Sequence, residues 1–439
     1  MRSASLAFLP ALLLAAFSAS AGPIIETRLP PVQAQGGGQE PGAPTHAEAR
    51  KQWQLGRIAL GNGDLKAAEA AFKQATQLDP KAGAPWVGLG DVALRRGEMD
   101  GAKMAVQEAL KRDPTHTPAR LGLARLALMG GKTEEGEALL KALLQKEPNF
   151  VPALVDLGEV MANSGRLTEA EPLFKRATEQ AGAGLNAWIN LARSQAQQGR
   201  RPDAMATLEK AAAQLPGNAM PWVAASEMAL SMGDKATALR HAGQAVQSDG
   251  KSVQAQVALA DALVANDQVA KALDGLQSYL SVPGVPVALV HTKVAAIKTA
   301  RKDLDGAMAA YRLALRADAK FHPALNNMAW LSAERKQDLD EALRAARRAV
   351  ELQPNQPSYV DTLAFVLLAR KDRKEALAVL TKAVAARPKV ALLHLRLAQT
   401  HQAMDELAKA RESVDLALKL EPNFKEAQEL KKKLGGGQG

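Results

Sequence analysis

An all-α solenoid of about eleven helix-turn-helix repeats is the fold this sequence predicts, and three observations point to it. Pro80, Pro114 and Pro148 stand 34 residues apart, Pro216 falls at twice that interval, and the series resumes at Pro354, Pro388 and Pro422. A second, independent series, Gly63, Gly97, Gly131, Gly165, Gly199 and Gly233, keeps the same spacing without a break. The composition agrees: 47% of residues are apolar but only 4% aromatic, with Ala and Leu supplying most of the remainder. Such a mixture favours helix over the aromatic and β-branched strands of a sandwich or barrel. Proline cannot continue a helix, and glycine takes the left-handed conformation that closes one. Two such series in one register mark a repeated pair of helices. At 439 residues the chain also exceeds what one core usually organises.

Taken in order, residues 1–21 read as a secretory signal peptide. Arg2 supplies a short basic region, Leu6 to Phe17 an apolar one, and Ala19-Ser20-Ala21 a small-residue cleavage site. The apolar run is short for a membrane span, and no later segment approaches ~18 uninterrupted apolar residues. The mature chain is therefore expected to begin near Gly22, outside the cytoplasm, with no transmembrane segment. Pro30-Pro31, Gly36-Gly37-Gly38 and Pro41-Gly42-Ala43-Pro44 mark residues 22–48 as a disordered, Pro/Gly-rich linker. Repeats follow over 49–287 (units one to seven) and 288–424 (units eight to eleven). Residues 425–439 read as a charged capping helix with a flexible tail.

Within the units the small and large residues recur at fixed places. Residues 83–116 carry Trp86, Leu89-Gly90, Ala102, Val106, Ala109 and Pro114; residues 49–82 carry Leu55-Gly56, Ala68, Phe72, Ala75 and Pro80. Residues 357–390 repeat the scheme with Leu363-Ala364, Ala376, Leu380, Ala383 and Pro388. Small residues at positions 8, 20 and 27 of a unit let its two helices approach closely, while positions 4, 7 and 24 fill the space between hairpins. On these residues the chain resembles the tetratricopeptide repeat family. The resemblance implies a right-handed superhelix, a groove lined by positions 2, 5, 9, 12 and 13 of each first helix, and protein or peptide partners bound there. Departures are Gly136 where Ala is expected, and one extra residue each at Ser281–Pro286 and near Gln337-Asp338.

The sequence offers little for catalysis. Cysteine is absent, so disulfides and thiol chemistry are excluded. No H-E-x-x-H, phosphate-binding loop or nucleophile elbow occurs, and Gly61-Asn62-Gly63-Asp64 reads as the turn inside unit one. His394 and His401 share a helix face roughly 10 Å apart, too far for one metal ion. No catalytic residue, metal site or cofactor is expected.

Groove columns are more informative. Position 5 runs Trp53, Val87, Leu121, Val155, Ile189, Val223, Val257, and position 9 runs Arg57, Asp91, Arg125, Glu159, Arg193, Glu227, Asp261. The near-alternating charges read either as a ladder bridging successive repeats or as the polar side of a peptide groove. Units nine and ten change the pattern to Asn326 and Trp330, then Asp361 and Phe365. Displaced aromatics are candidate anchors for a partner, or else rings packed by neighbouring helices. Residues 285–439 hold 27 basic and 18 acidic residues, a net of +9 out of a total of +10. Arg344 and Arg348 lie on one helix there and complete the candidate site. That charge reads as a solvated face, or as attraction for an acidic protein, an anionic polysaccharide or lipid headgroups. A total of +10 is modest for a nucleic-acid binder, and none is expected.

The function expected is a non-catalytic exported scaffold for protein partners in a bacterial envelope, with the periplasm as its address and secretion as the other. The stretch Asn326-Asn327-Met328-Ala329-Trp330, Leu339-Asp340-Glu341-Ala342-Leu343, Pro354 and Asp361-Thr362-Leu363 resembles repeats of exopolysaccharide assembly and export proteins. A periplasmic adaptor of such a machine is therefore a second expectation. An envelope enzyme with an unrecognised site is a third, which no motif recommends.

Overall fold

Small side chains at three places per repeat set the architecture. In a computed structural model describing residues 42–435, Ala68, Ala75, Ala102, Ala109, Ala170, Ala177, Ala204 and Ala211 are all fully buried, each between the helices of a hairpin or its neighbour. The described residues form 23 helices and no strand: ten packed pairs, helix A then helix B, the two helices Met220–Ser231 and Lys235–Ser248 of unit six, and a last helix Lys425–Gly435. None of these helices is long and apolar enough to cross a membrane. The chain divides after Ser231 into two compact bodies. One holds units one to five and Met220–Ser231, the A helix of unit six; the other runs from Lys235–Ser248 to the last helix. The change in charge near residue 285 thus falls inside the second body.

Both punctuation series do the work expected of them. Pro80, Pro114, Pro148, Pro216, Pro354, Pro388 and Pro422 each follow the cap residue that ends a B helix. The six series glycines all have positive φ, near 80° at Gly63, where Gly63 N donates to Leu60 O and Asp64 N to Ala59 O. In the second body this register passes to residues with a side chain: Asp267, Lys302, Lys336, Lys371 and Asp405 hold φ between 54° and 72°. The same hydrogen bonds recur there, Lys302 N to Thr299 O and Asp303 N to Lys298 O. The turn is therefore kept by its backbone bonds even where glycine is missing.

Close packing of a phenylalanine ring explains three of the glycines that lie within helices. The Phe72 ring, 1% exposed, sits where a Cβ on Gly56 or Gly88 would come within 2.6 Å of it. Phe174 occupies the same space against Gly158. Gly136, the departure at position 20 of unit three, has its own cause: Leu128 Cδ2 lies 2.4 Å from where its Cβ would be.

The structure describes nothing before Gly42 or after Gly435, so the expected signal peptide, residues 22–41 of the linker and the end of the tail lie outside the described residues. Residues 42–48 correct the linker reading. Ala84 N donates to Gly42 O, Thr45 N and Oγ1 donate to Asp79 Oδ2 at 2.8 and 3.0 Å, and Arg50 Nε donates to Pro44 O. These bonds fasten the segment across units one and two, and helix A of unit one already starts at Ala47. At the other end Arg411 donates twice to Leu434 O, and Ala427, Leu430 and Leu434 are buried, which closes unit eleven.

Gly88→Ala should lower stability by about 1–3 kcal/mol, because the Phe72 ring has no free space to move into. Gly243→Ala, in a helix with nothing near the added methyl, should raise it by roughly 0.5–1 kcal/mol. Urea midpoints of the two variants check both signs.

Candidate partner-binding surface

Position 9 of the A helix carries a charge in units one to seven, and for Arg125, Glu159 and Asp261 the structure places a partner on the next repeat. Arg125 of unit three grips Asp156 of unit four through two bonds, Nε to Oδ2 at 2.5 Å and Nη2 to Oδ1 at 2.9 Å. Both side chains are about 95% buried, since they are 5% and 6% exposed. Glu159 accepts from Asn190 Nδ2 of unit five at 2.6 Å, and Asp261 of unit seven pairs with Lys293 of unit eight. The ladder reading therefore describes these three positions, with one amendment. The receiving residue stands at position 6 of the following unit, a column the sequence reading did not single out. Position 5 is no open apolar stripe: Trp53, Val87, Leu121, Val155 and Val223 are all buried.

Glu159 differs from the rest of the ladder. It is half-buried, and its one hydrogen bond comes from a neutral amide. Burial pushes its carboxyl up to about 7. The Asn190 bond opposes that push, the Asp156 carboxylate adds to it, and Arg193 and Arg125 act against it from a distance.

In units nine and ten two of the expected site residues, Trp330 and Phe365, are brought together, and Asp361 joins Phe365 through Arg396. Trp330, on helix A His322–Arg335, and Phe365, on helix A Pro357–Ala369, lie half-buried with ring centroids 6.2 Å apart and planes tilted by 37°. Both also pack against the buried core of this region. Asp361 is no free acceptor: it is buried, and Arg396 of unit eleven holds it by Nε to Oδ1 at 2.7 Å and Nη2 to Oδ2 at 2.9 Å. The same guanidinium lies 4.7 Å from the Phe365 centroid, over its face. Asn326 is 3% exposed and donates through Nδ2 to Asn327 Oδ1. The accessible part of the site is thus a shelf of Trp330, Phe365 and Arg396, with Asn326 and Asp361 built into its support. Arg396 was missed from sequence because its value lies in a partner 35 residues away.

Three of the arginines of this region are paired with carboxylates. Arg348 pairs with Glu351 at 2.9 Å, Arg347 with Glu375 at 2.6 Å, and Arg370 with Asp340 and Asp372. Arg344 is exposed. That pattern suits a solvated face. His394 and His401 are buried, bonded to Pro388 O and to Glu406. Among the described residues no group of three or more His, Asp or Glu could hold a metal ion.

A family model described as tetratricopeptide repeat matches residues 93–158, 130–183, 162–224 and 367–434, and a second of the same description matches 54–117 and 225–286. Among solved structures, yeast Tom70 is 14% identical with a TM-score of 0.49, over 88% of this chain and 95% of that one. The Cut9–Hcn1 hetero-tetramer of the APC/C gives 11% identity and a TM-score of 0.42, over 89% and 96%. A tetratricopeptide repeat protein from Parabacteroides merdae gives 17% and 0.40, over 57% and 99%. None of the curated proteins compared with the chain matches it.

The Glu159 carboxyl, raised in the folded state from its ordinary 4.5 to about 7, makes stability depend on pH in a definite direction. The folded chain holds this proton more tightly than the unfolded one, so the contribution is complete below pH ~4.5 and is lost as pH rises through ~7. Glu159→Gln should remove that part of the fall. The difference between wild-type and variant urea midpoints, followed from pH 4.5 to 8, reads it.

Proposed function

We propose that this chain, which belongs to the tetratricopeptide repeat family, is an exported scaffold that holds protein partners in a bacterial cell envelope. The repeat fold is generally that of a non-catalytic scaffold, and its members bind protein partners. What supports a binding role in this chain is the Trp330–Phe365 shelf, two half-buried rings on adjoining A helices with a guanidinium fixed over one of them. Rigid aromatic anchors of this kind dominate interface energetics, whereas exposed ion pairs contribute ~0–1 kcal/mol. The Asp361–Arg396 bonds hold the shelf in place before any partner arrives, which reduces the ordering cost of binding. Export rests on the signal-like residues 1–21.

A second reading makes the partner specific: a periplasmic adaptor of an exopolysaccharide machine. The observation that favours it is the resemblance carried by Asn326–Trp330, Leu339–Leu343, Pro354 and Asp361–Leu363. Crosslinking in intact cells, with mass spectrometry of the adducts, separates the two. Enrichment of polysaccharide synthase or outer-membrane export subunits supports the adaptor, and unrelated envelope proteins support the general scaffold.

Trp330→Ala and Phe365→Ala should each weaken partner capture at least tenfold, about 1.4 kcal/mol, when capture is counted per folded molecule. Unchanged capture per folded molecule would mean the rings serve the core alone. Sequencing the N-terminus of protein taken from a periplasmic extract should find a start near Gly22; a cytosolic chain beginning at Met1 refutes export.

A further inference from the structure

The ladder of the first body satisfies its members unequally. Arg125 is committed to Asp156 by two bonds, and Arg193 Nη1 donates to Asn190 Oδ1 at 3.3 Å. Asn190 in turn donates its amide to Glu159 Oε1. Glu159 is left with a neutral donor on one oxygen and no cation in contact. Its surroundings deepen the deficit. The carboxylate of Asp156 lies on the same helix, Val151–Asn163, three residues before it. The B helices packed against that helix, Thr133–Lys146 and Leu167–Thr178, contribute Leu140, Leu143, Ala170, Phe174 and Ala177 to the core, all buried. Of the three acidic residues of the first, Glu134, Glu135 and Glu137, Glu137 is engaged by Arg166 and Lys141, and Glu135 by Lys132. Val155, buried, and Ile189, half-buried, stand at position 5 of units four and five, four residues before position 9 of the same helices.

We propose that Glu159 is the anchor for a cationic side chain, Lys or Arg, of the partner segment that lies along units three to five. The proposal rests on the scaffold reading and adds the charge its partner must carry there. A carboxylate held half-buried with only an amide for company is stabilised by an arriving ammonium or guanidinium far more than a solvated one is. Because burial raises the carboxyl to about 7, a fraction of molecules is protonated at neutral pH, and the cation must displace that proton. Binding therefore releases protons and weakens as pH falls below ~7.

The test uses two tripeptide amides as probes, acetyl-Leu-Lys-Leu and acetyl-Leu-norleucine-Leu, which differ in charge but hardly in length. Binding to the full chain is followed by 13C shifts of labelled Glu side chains, and by calorimetry in two buffers of different ionisation enthalpy. The lysine peptide should bind at least tenfold tighter than the norleucine peptide at pH 8, shift the Glu159 midpoint downward and release protons near pH 7. At pH 5 the preference should vanish. Glu159→Gln keeps an acceptor for Asn190 and so should fold normally, but it should lose the preference at every pH. Equal binding of the two peptides to wild type at pH 8, or absence of proton release, overturns the proposal without reference to any variant. If that happens while Trp330→Ala still weakens partner capture, the Glu159 anchor fails and the scaffold reading stands. If Trp330→Ala leaves capture unchanged as well, both fall.

Discussion

Everything in this molecule hangs on the close approach of helix A to helix B at alanine and glycine. Ala68, Ala102, Ala170, Ala204 and their counterparts are fully buried, so the helix axes come near enough for large side chains from the next hairpin to reach across. Phe72 does so, lying over Gly88 of the following hairpin as well as Gly56 of its own, while Phe174 lies over Gly158 of its own hairpin; in each case the missing Cβ makes the room. A unit closed by small residues cannot bury its own outer face, so stability is shared between neighbours and accumulates along the chain. Burying the rest of each A helix is what leaves positions 6 and 9 as the places where charge must be managed.

The fold was readable because it depends on local chemistry repeated many times. Proline after a B helix and glycine between A and B each mark a boundary by its own conformational preference, and seven copies of the first with six of the second make the register unmistakable. Less readable were features that depend on which residue faces which. Gly136 departs from the pattern only because Leu128, eight residues earlier, already fills the space of a methyl group. Residues 42–46 look like spacer by composition, yet Thr45 and Asp79 bond across 34 positions. In the candidate site, the aromatic pair was visible as a break in two columns. Arg396, which immobilises it, was not, because its significance comes from Asp361 and Phe365 together. The position-6 partners Asp156, Asn190 and Lys293 were hidden for the same reason.

Buried ion pairs such as Arg125–Asp156 contribute little net stability, since desolvation offsets most of their attraction, but breaking one strands a charge in the interior. Their effect here is on registry. Each pair ties position 9 of one repeat to position 6 of the next, so a hairpin displaced by one turn leaves a charge unpaired. The Asp361–Arg396 pair extends the same logic to the shelf, where a buried carboxylate orients a guanidinium that in turn covers an aromatic face.

The turns of the second body have a consequence for how the chain is cut. Lys302, Lys336 and Lys371 stand exposed at the left-handed position between the two helices of units eight, nine and ten. A trypsin-like protease therefore meets accessible lysines one repeat apart, each at a backbone already held away from its preferred conformation. Cleavage at Lys302 severs Val287–Ala300 from Leu304–Ala317 in the covalent sense only. Ala295, Ala307, Tyr311 and Ala314 remain fully buried in the core the two helices share. A nicked chain stays assembled, so digestion seen on a denaturing gel and loss of the native particle become separate events, the first well ahead of the second.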